Sequence, residues 1–577
     1  MTKRVSHHRP PRTAGPLLSL AARLAEVPGT RAALAHTMLR ATGICAMREI
    51  PCEEPLPVAP RPPCDRCGPH EASSSQALSP DGPEAKNQID RLFSLQNASV
   101  APLGAFEPIT AFAAAYRGGT ITPADVAERV LGHIQSSDRL VPPMRFFIAL
   151  DPEDVRKQAS LASERLRSGH PLSLLDGVPV AVKDELDQRG YPTTVGTRFL
   201  GRTPATQDAA VVAALRRAGA VLLGKTNMHE IGIGVTGINP HHGAVRNPYN
   251  PMHVTGGSSS GSAACVAAGI CPLAVGADGG GSIRIPAAFC GVVGLKPTFG
   301  LLSEDGAAQL CWSVAHVGPI AATVKDAALG FACMTPSSGS AASHALATLT
   351  HWLQAQDFRG VRVGFHPGWF EDTDPAVERC CQEALRMLRE AGAGIVEAAQ
   401  ISLEELRLAR TVHVVTIVSE MATAHLRHHA EHRTEYSDEV RFNLALSQAI
   451  TATDYLHAQR LRARLARLMR EVFGQIDVLA TPTTACTAPL LSQDALLTGE
   501  SNVGLMERIM RFAVVANLTG LPAITVPAGY DGAGLPVGFQ LMARPHEEGL
   551  LLGLAHEVER RTERMRPRVH FPVLAKT

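Results

Sequence analysis

The sequence predicts an α/β protein: one large mixed central sheet covered by helices, preceded by an N-terminal helical arm. Three observations lead there. Short apolar runs bounded by turn residues recur from about Asn87 onward, helix-periodic segments alternate with them, and the first fifty residues differ in composition from the rest. With 577 residues, 45% hydrophobic and 5% aromatic, the chain can bury one large core with appended segments. Lysine plus arginine (55) nearly cancels aspartate plus glutamate (54), so no net field draws the chain to nucleic acid.

The arm comes first. Residues 1–50 carry eight basic side chains and only two acidic ones, Glu26 and Glu49. Pro16 opens an apolar pattern of Leu17, Leu20 and Leu24, Pro28 and Gly29 break it, and Leu34, Met38 and Ala41 resume it, which predicts two short amphipathic helices. Such a basic, amphipathic start suits a docked arm, a membrane-surface helix or a transit peptide. Residues 51–86, rich in proline and carrying Ser73–Ser75, predict a loose linker, and 87–577 the main domain. No stretch reaches the roughly 18 apolar residues of a membrane-spanning helix; Gly269 and Pro272 interrupt the nearest one, Ala263–Ala277.

Within the main domain, Thr206 and Asp208 are candidate caps for a helix carrying Val211, Leu215 and Ala218, which Gly219 ends before the strand run 220–225. Runs at 175–184, 271–278, 361–367, 476–482 and 522–527 read as further buried strands. Leu461, Leu465, Leu468 and Val472 give Thr453–Phe473 a helical face, with Arg460, Arg464, Arg467 and Arg470 on the others as a solvated surface. The twelve cysteines are scattered, and Cys265, Cys271, Cys290 and Cys333 sit in apolar runs, which suits packing in a reducing, cytoplasmic setting. Cys64 and Cys67 form a CxxC beside His70, but no second pair follows at zinc spacing, so no metal is expected. Asn97 and Asn517 begin glycosylation-type strings that mean little without a signal peptide.

The chemistry concentrates in two loops. Gly256–Ser262 reads GGSSSGS, and 24 positions past its first serine, Ser258, stands Ser282 in DGGGSIRIP, Asp278–Pro286. Glycines before a serine let backbone approach a ligand, and successive unpaired N–H groups cradle a developing negative charge. A base is still needed, and Lys183 closes the apolar run GVPVAVKD, where burial favours the uncharged amine. A lysine at a strand end more often snorkels, however, and Glu185, two residues on, would favour the charge if it shared the lysine's side. His229, His241, His242 and His253 invite a serine–histidine reading, but no carboxylate partner is evident and surface positions are expected.

Lys183 in GVPVAVKD, GKTNMHE (224–230), TGGSSSGSA (255–263), DGGGSIRIP and FCGVVGLKPT (289–298) together resemble the amidase signature family. DVLATPTT (477–484), ANLTGLPAITVP (516–527) and GLPVGFQLMARP (534–545) resemble its closing half, so the likeness runs from about residue 90 to the end. The triple serine, the form of DGGGSIRIP, the stretches Ser447–Arg462 and Thr484–Asn502, and paired arm helices ending in IPCEEP (50–55) look most like plant-type fatty acid amide hydrolases.

The resemblance implies Ser282 as nucleophile, Ser258 as bridging serine after a cis Gly257–Ser258 peptide, and Lys183 as terminal base. It implies an acyl-enzyme, with an oxyanion held by the N–H groups of Gly279, Gly280, Gly281 and Ser282. Asp278 and Arg284 would pair to hold the loop, Ser259 would assist through a hydrogen bond, and Ser260 is a candidate helix cap. Cys290 is expected to pack. No cofactor or metal is required.

The substrate expected by resemblance is a long-chain acyl amide such as an N-acylethanolamine, collected at a membrane surface by the arm, in a homodimer. GVTGINPHH (234–242) departs from the threonine-pair string of plant members and leaves chain length open. Other readings are an amidase for short or aryl amides, the glutamyl-tRNA amidotransferase component that shares these motifs, and a catalytically dead docking receptor. The last conflicts with the presence of all three catalytic residues.

Overall fold

A computed structural model of the chain describes residues 12–52, 54, 106–336, 339–398 and 400–575. The expected linker 51–86 falls almost wholly outside them, as do Cys64, Cys67, His70 and Asn97.

The strands in chain order are β1 (Thr13–Ala14), β2 (Phe147–Leu150), β3 (Pro179–Lys183), β4 (Val221–Thr226), β5 (Leu273–Ala277), β6 (Val293–Lys296), β7 (Val317–Ala321), β8 (Arg362–Phe365), β9 (Gly394–Glu397), β10 (Val478–Pro482), β11 (Glu500–Ser501), β12 (Ala523–Tyr530) and β13 (Pro536–Ala543). Eleven of them form one mixed sheet, in the order β2-β4-β3-β5-β7-β6-β12-β13-β10-β8-β9. Every strand run read from the sequence lies in it. Central strands such as β3 and β5 are buried along their whole length, which is why they read as continuous apolar runs; edge strands β2 and β9 are half-buried to exposed.

β3 runs parallel to both neighbours, β4 and β5, with Val182 opposite Val275. Their carboxyl ends therefore meet at one rim of the sheet, where parallel strands commonly present ligand-binding loops. The long helix Ala452–Gln475 starts with a capping box in which Thr451 and Asp454 satisfy each other's backbone N–H groups. The helix Ala210–Arg217 lacks the expected cap: Asp208 instead pairs with Arg216 at 2.7 Å.

The arm forms helices Gly15–Glu26 and Pro28–Ala41, and β1 pairs with β11. The first helix docks by a face other than its predicted leucines, whereas Leu34, Met38 and Ala41 of the second turn inward as expected. Leu18, Ala22, Ala25 and Ala35 bury against Phe442, Ala445 and Leu446, whereas Leu17, Leu20, Leu24 and Val27 are exposed, Leu17 at 69%. Leu18 and the small Ala22 and Ala25 let the first helix lie close on its neighbour Asp438–Ser447, leaving Leu17, Leu20 and Leu24 outside. Arg441–Glu26 at 2.9 Å and Arg48–Asp454 at 2.7 Å tie the arm to the body.

Candidate active site

Lys183, the last residue of β3, is wholly buried beneath this rim. Its Nζ lies 2.8 Å from Ser258 Oγ and 3.2 Å from the Ala277 carbonyl oxygen at the end of neighbouring β5. The strand ends at Lys183, yet a turn closed by Leu186 N–H on the Lys183 carbonyl brings Glu185 Oε2 to 2.6 Å from Nζ. The carboxylate that strand alternation left uncertain is thus a direct neighbour of the lysine. Asp184 points elsewhere, accepting from Gly196 N–H at 3.0 Å and lying 3.3 Å from Lys225 Nζ. Burial first, then the Glu185 carboxylate, pushes the Glu304 carboxyl up to about 8.

The Gly257–Ser258 peptide is cis. Ser258 and Ser259 are buried; Ser259 Oγ donates to the Ala277 carbonyl at 3.1 Å and fastens the serine loop to β5. Ser260 is no cap. It is the first residue of the helix Ser260–Ala267, and its hydroxyl donates to the Asn227 carbonyl at 3.3 Å.

Asp278 begins the second loop, completely buried, with its carboxylate meeting Arg284 Nε and Nη2, each at 3.0 Å. Burial alone would raise this carboxyl, but the Arg284 charge and hydrogen bonds, with Asn517, hold it well below the usual carboxylate range. Arg284 also donates to Gln540 Oε1 and Asn517 Oδ1, both at 2.7 Å. Asn517, the start of a glycosylation-type string, is a buried bracket between the two.

Asp278 also takes the Gly281 N–H at 2.6 Å, so one of the four expected oxyanion donors is committed to a carboxylate. Among the described residues the N–H groups of Gly279, Gly280 and Ser282 have no hydrogen-bond acceptor. Three free N–H groups around a nearly buried serine are a receptor for negative charge.

Ser282 and Gly280 open into a cavity of about 130 Å³, whose other walls include Met38 from the arm, Ile417, Met421, Met506, Met510 and Arg410. A larger hollow of about 740 Å³, among Arg379, Arg386 and Arg389 near β8 and β9, contains none of the residues above. Of the four histidines expected at the surface only His229 is buried, and the other three are half-buried. His229 is buried 3.3 Å from Glu439, His241 pairs with Glu230 at 2.8 Å, and His242 and His253 meet backbone carbonyls of Thr197 and Ala488. None bonds either serine hydroxyl. Cys290 is buried with its thiol on the Thr255 carbonyl. Arg410 and His413 sit in the helix Leu403–Ala424 with no motif to mark them, and Asn517 and Gln540 lie inside family-like strings that assign them no role.

An α/β sheet with a buried lysine at one strand end, a serine on a cis peptide and a glycine-serine loop is the arrangement that the resemblance to amide-hydrolysing enzymes implies. The family model described as Amidase matches residues 128–552. A fatty acid amide hydrolase from Oryza sativa subsp. indica is 40% identical, over 78% of this chain and 75% of its own length. A fatty acid amide hydrolase from Medicago truncatula is likewise 40% identical, over 80% of this chain and 78% of its own. The crystal structure of an amidase superposes with a TM-score of 0.69 at 31% identity, covering 79% of this chain and 99% of that one. The chain belongs to the amidase signature family.

Proposed function

We propose that this enzyme hydrolyses fatty acid amides through an acyl-enzyme on Ser282, with Ser258 as bridge and Lys183 as base. The 2.8 Å contact between Lys183 Nζ and Ser258 Oγ carries the reading. Three acceptor atoms surround Nζ within 3.2 Å: Ser258 Oγ, the Ala277 carbonyl oxygen and Glu185 Oε2. As an amine, the lysine keeps two hydrogens for Ala277 and Glu185 and turns its lone pair to the Ser258 hydroxyl. Ser258 then passes its proton to Lys183 while taking that of Ser282, whose oxygen bonds to the amide carbon. The tetrahedral oxyanion rests on the N–H groups of Gly279, Gly280 and Ser282. As the C–N bond breaks, Ser258 protonates the leaving amine and regains a proton from Lys183. Water attacks the acyl ester by the reverse relay and releases the acid. Asp278, Arg284 and Ser259 hold the two serine loops in place.

Two observations support a lipid substrate besides the resemblance to plant hydrolases. The exposed stripe Leu17, Leu20, Leu24 and Val27 is a surface suited to lipid, and the next arm helix supplies Met38 to the cavity wall. The cavity itself is small beside the roughly 300–1,000 Å³ of ordinary ligand sites, which favours a second reading, short-chain or aryl amides. A long acyl chain needs the methionine walls to rotate aside, as unbranched thioethers readily do. A hydrolysis panel from acetamide and benzamide derivatives to oleoyl- and linoleoylethanolamide, with Ser282→Ala as control, decides between them. Equal or higher kcat/KM on the short amides ends the lipid reading. Replacing Leu17, Leu20 and Leu24 by serine should lower liposome binding, and unchanged binding refutes the membrane role. Assembly as a homodimer is carried over from the same resemblance, and sedimentation equilibrium tests it.

A further inference from the structure

We infer that His413 is a positioning residue for the oxyanion site, its Nε2–H holding and polarising the Gly279–Gly280 peptide so that the Gly280 N–H points its full strength at the developing charge. The inference rests on Ser282 being the nucleophile. His413 lies in the helix Leu403–Ala424, fully buried, with Nε2 2.8 Å from the Gly279 carbonyl oxygen. Arg410 Nη1 stands 3.4 Å from its Nδ1.

These two contacts fix the tautomer without reference to any hydrogen position. A guanidinium can only donate and a carbonyl can only accept, so Nδ1 accepts from Arg410 and Nε2 donates to Gly279. The ring is also kept neutral: burial first, then the Arg410 charge, pushes it down to about 3. It therefore relays no proton in the reaction and serves as a donor through Nε2–H.

The Gly279 carbonyl and the Gly280 N–H belong to one peptide, and a hydrogen bond received at the oxygen makes the N–H a stronger donor. The other two free donors are backed in the same way. Asn517 Nδ2 donates to the Asp278 carbonyl at 2.8 Å, behind the Gly279 N–H, and Ile285 N–H donates to the Gly281 carbonyl at 2.7 Å, behind that of Ser282. All three peptides are thus pinned at their oxygens before substrate arrives. The ring also lies hard against the loop: a Cβ on Gly280 would fall 2.5 Å from His413 Cε1, so the peptide cannot retreat toward the helix.

The test compares His413→Phe, which keeps the ring volume and removes the donor, with His413→Gln, whose amide can replace Nε2. The readouts are kcat and KM for the best amide of the panel, and the inhibition constant of a matching acyl trifluoromethyl ketone. That ketone adds Ser282 and places an oxyanion in the site. Removing an oxyanion donor outright costs about 100- to 1,000-fold, so weakening one from behind should lower kcat about 10-fold in the phenylalanine variant. KM should stay within about 2-fold, ketone affinity should fall by the same factor as kcat, and glutamine should restore most of both. Unchanged kcat in His413→Phe, a kcat loss without loss of ketone affinity, or equal losses in both variants overturns the proposal. If His413→Phe does not fold, Arg410→Met keeps the imidazole and frees its tautomer; kcat and ketone affinity should then fall together, and an unchanged pair overturns the proposal. Hydrolysis that survives Ser282→Ala would instead overturn the reading of the site itself, whatever His413 does.

Discussion

Replacing Asp278 by asparagine should loosen the Asp278–Pro286 loop and destabilise the whole protein. Five donors converge on this carboxylate: Arg284 Nε and Nη2, Asn517 Nδ2, and the N–H groups of Gly281 and Ile283. An amide turns one acceptor into a donor facing donors, and leaves the fully buried Arg284 guanidinium without its countercharge. Breaking a buried pair from one side costs about 3–5 kcal/mol. At ~2.1 cal/mol/K per residue, 577 residues give a melting entropy near ~1.2 kcal/mol/K, so the loss corresponds to roughly 3 °C in Tm. Differential scanning fluorimetry at one fixed scan rate measures it, alongside kcat, which should fall at least ~100-fold as the proposed oxyanion donors lose their anchor. Exchanging both partners, Asp278→Asn with Arg284→Met, should cost less stability than the two single losses added, because the orphan charge goes too. A single variant that melts and turns over like the parent, or strictly additive losses, would refute the reasoning. In the parent the pair's contribution is complete above the unfolded carboxyl value of ~3.9 and disappears as pH falls through the folded one.

Two further perturbations separate chemistry from stability. Lys183→Met should lower kcat about 100- to 10,000-fold at pH 7 with the fold intact by circular dichroism; amide cleavage within a few-fold of the parent would exclude the lysine as base. Asp326 is buried, and burial raises its carboxyl to about 7 despite the bonds from Thr323 and Ile109. Its folded value lies above its unfolded one, so the native state holds a proton there that the unfolded chain has released. Stability from this group therefore declines as pH rises from ~4 to about 7 and then levels off. Asp326→Asn should flatten the fall in Tm between pH 5 and 7.5, and parallel profiles for the two proteins would show that another group is responsible.

The serine loops, Lys183 and the strand that carries it were legible because each is local: glycine-serine strings and an apolar run with a cation at its end keep their meaning wherever the chain places them. Glu185 was visible but undecided, since its side depended on whether the strand stopped at Lys183 and how the next turn closed. The arm was readable as two helices, but not the docked face of the first; leucines at helical spacing mark a core face only when the neighbouring surface has room for them, and here Leu18 and two alanines dock while Leu17, Leu20 and Leu24 stay out. Asn517 and the four histidines took their roles from partners elsewhere in the chain, Asn517 from a residue 239 positions away.

What the sequence by itself determined is the strings that carry the proposed reacting groups and the sheet that bears them, because strand periodicity and loop composition are properties of short segments. What only the tertiary structure decided is how those groups are held: which N–H groups remain free for charge, that Gly281 is not among them, and that Arg410 and His413 reach the loop from a distant helix. Gly281 is claimed by a carboxylate three residues back, but that carboxylate is itself held by Asn517 from 239 positions away, and His413 reaches Gly279 across 134; a donor acquires its direction only when the folded sheet and helices fix both ends of the bond.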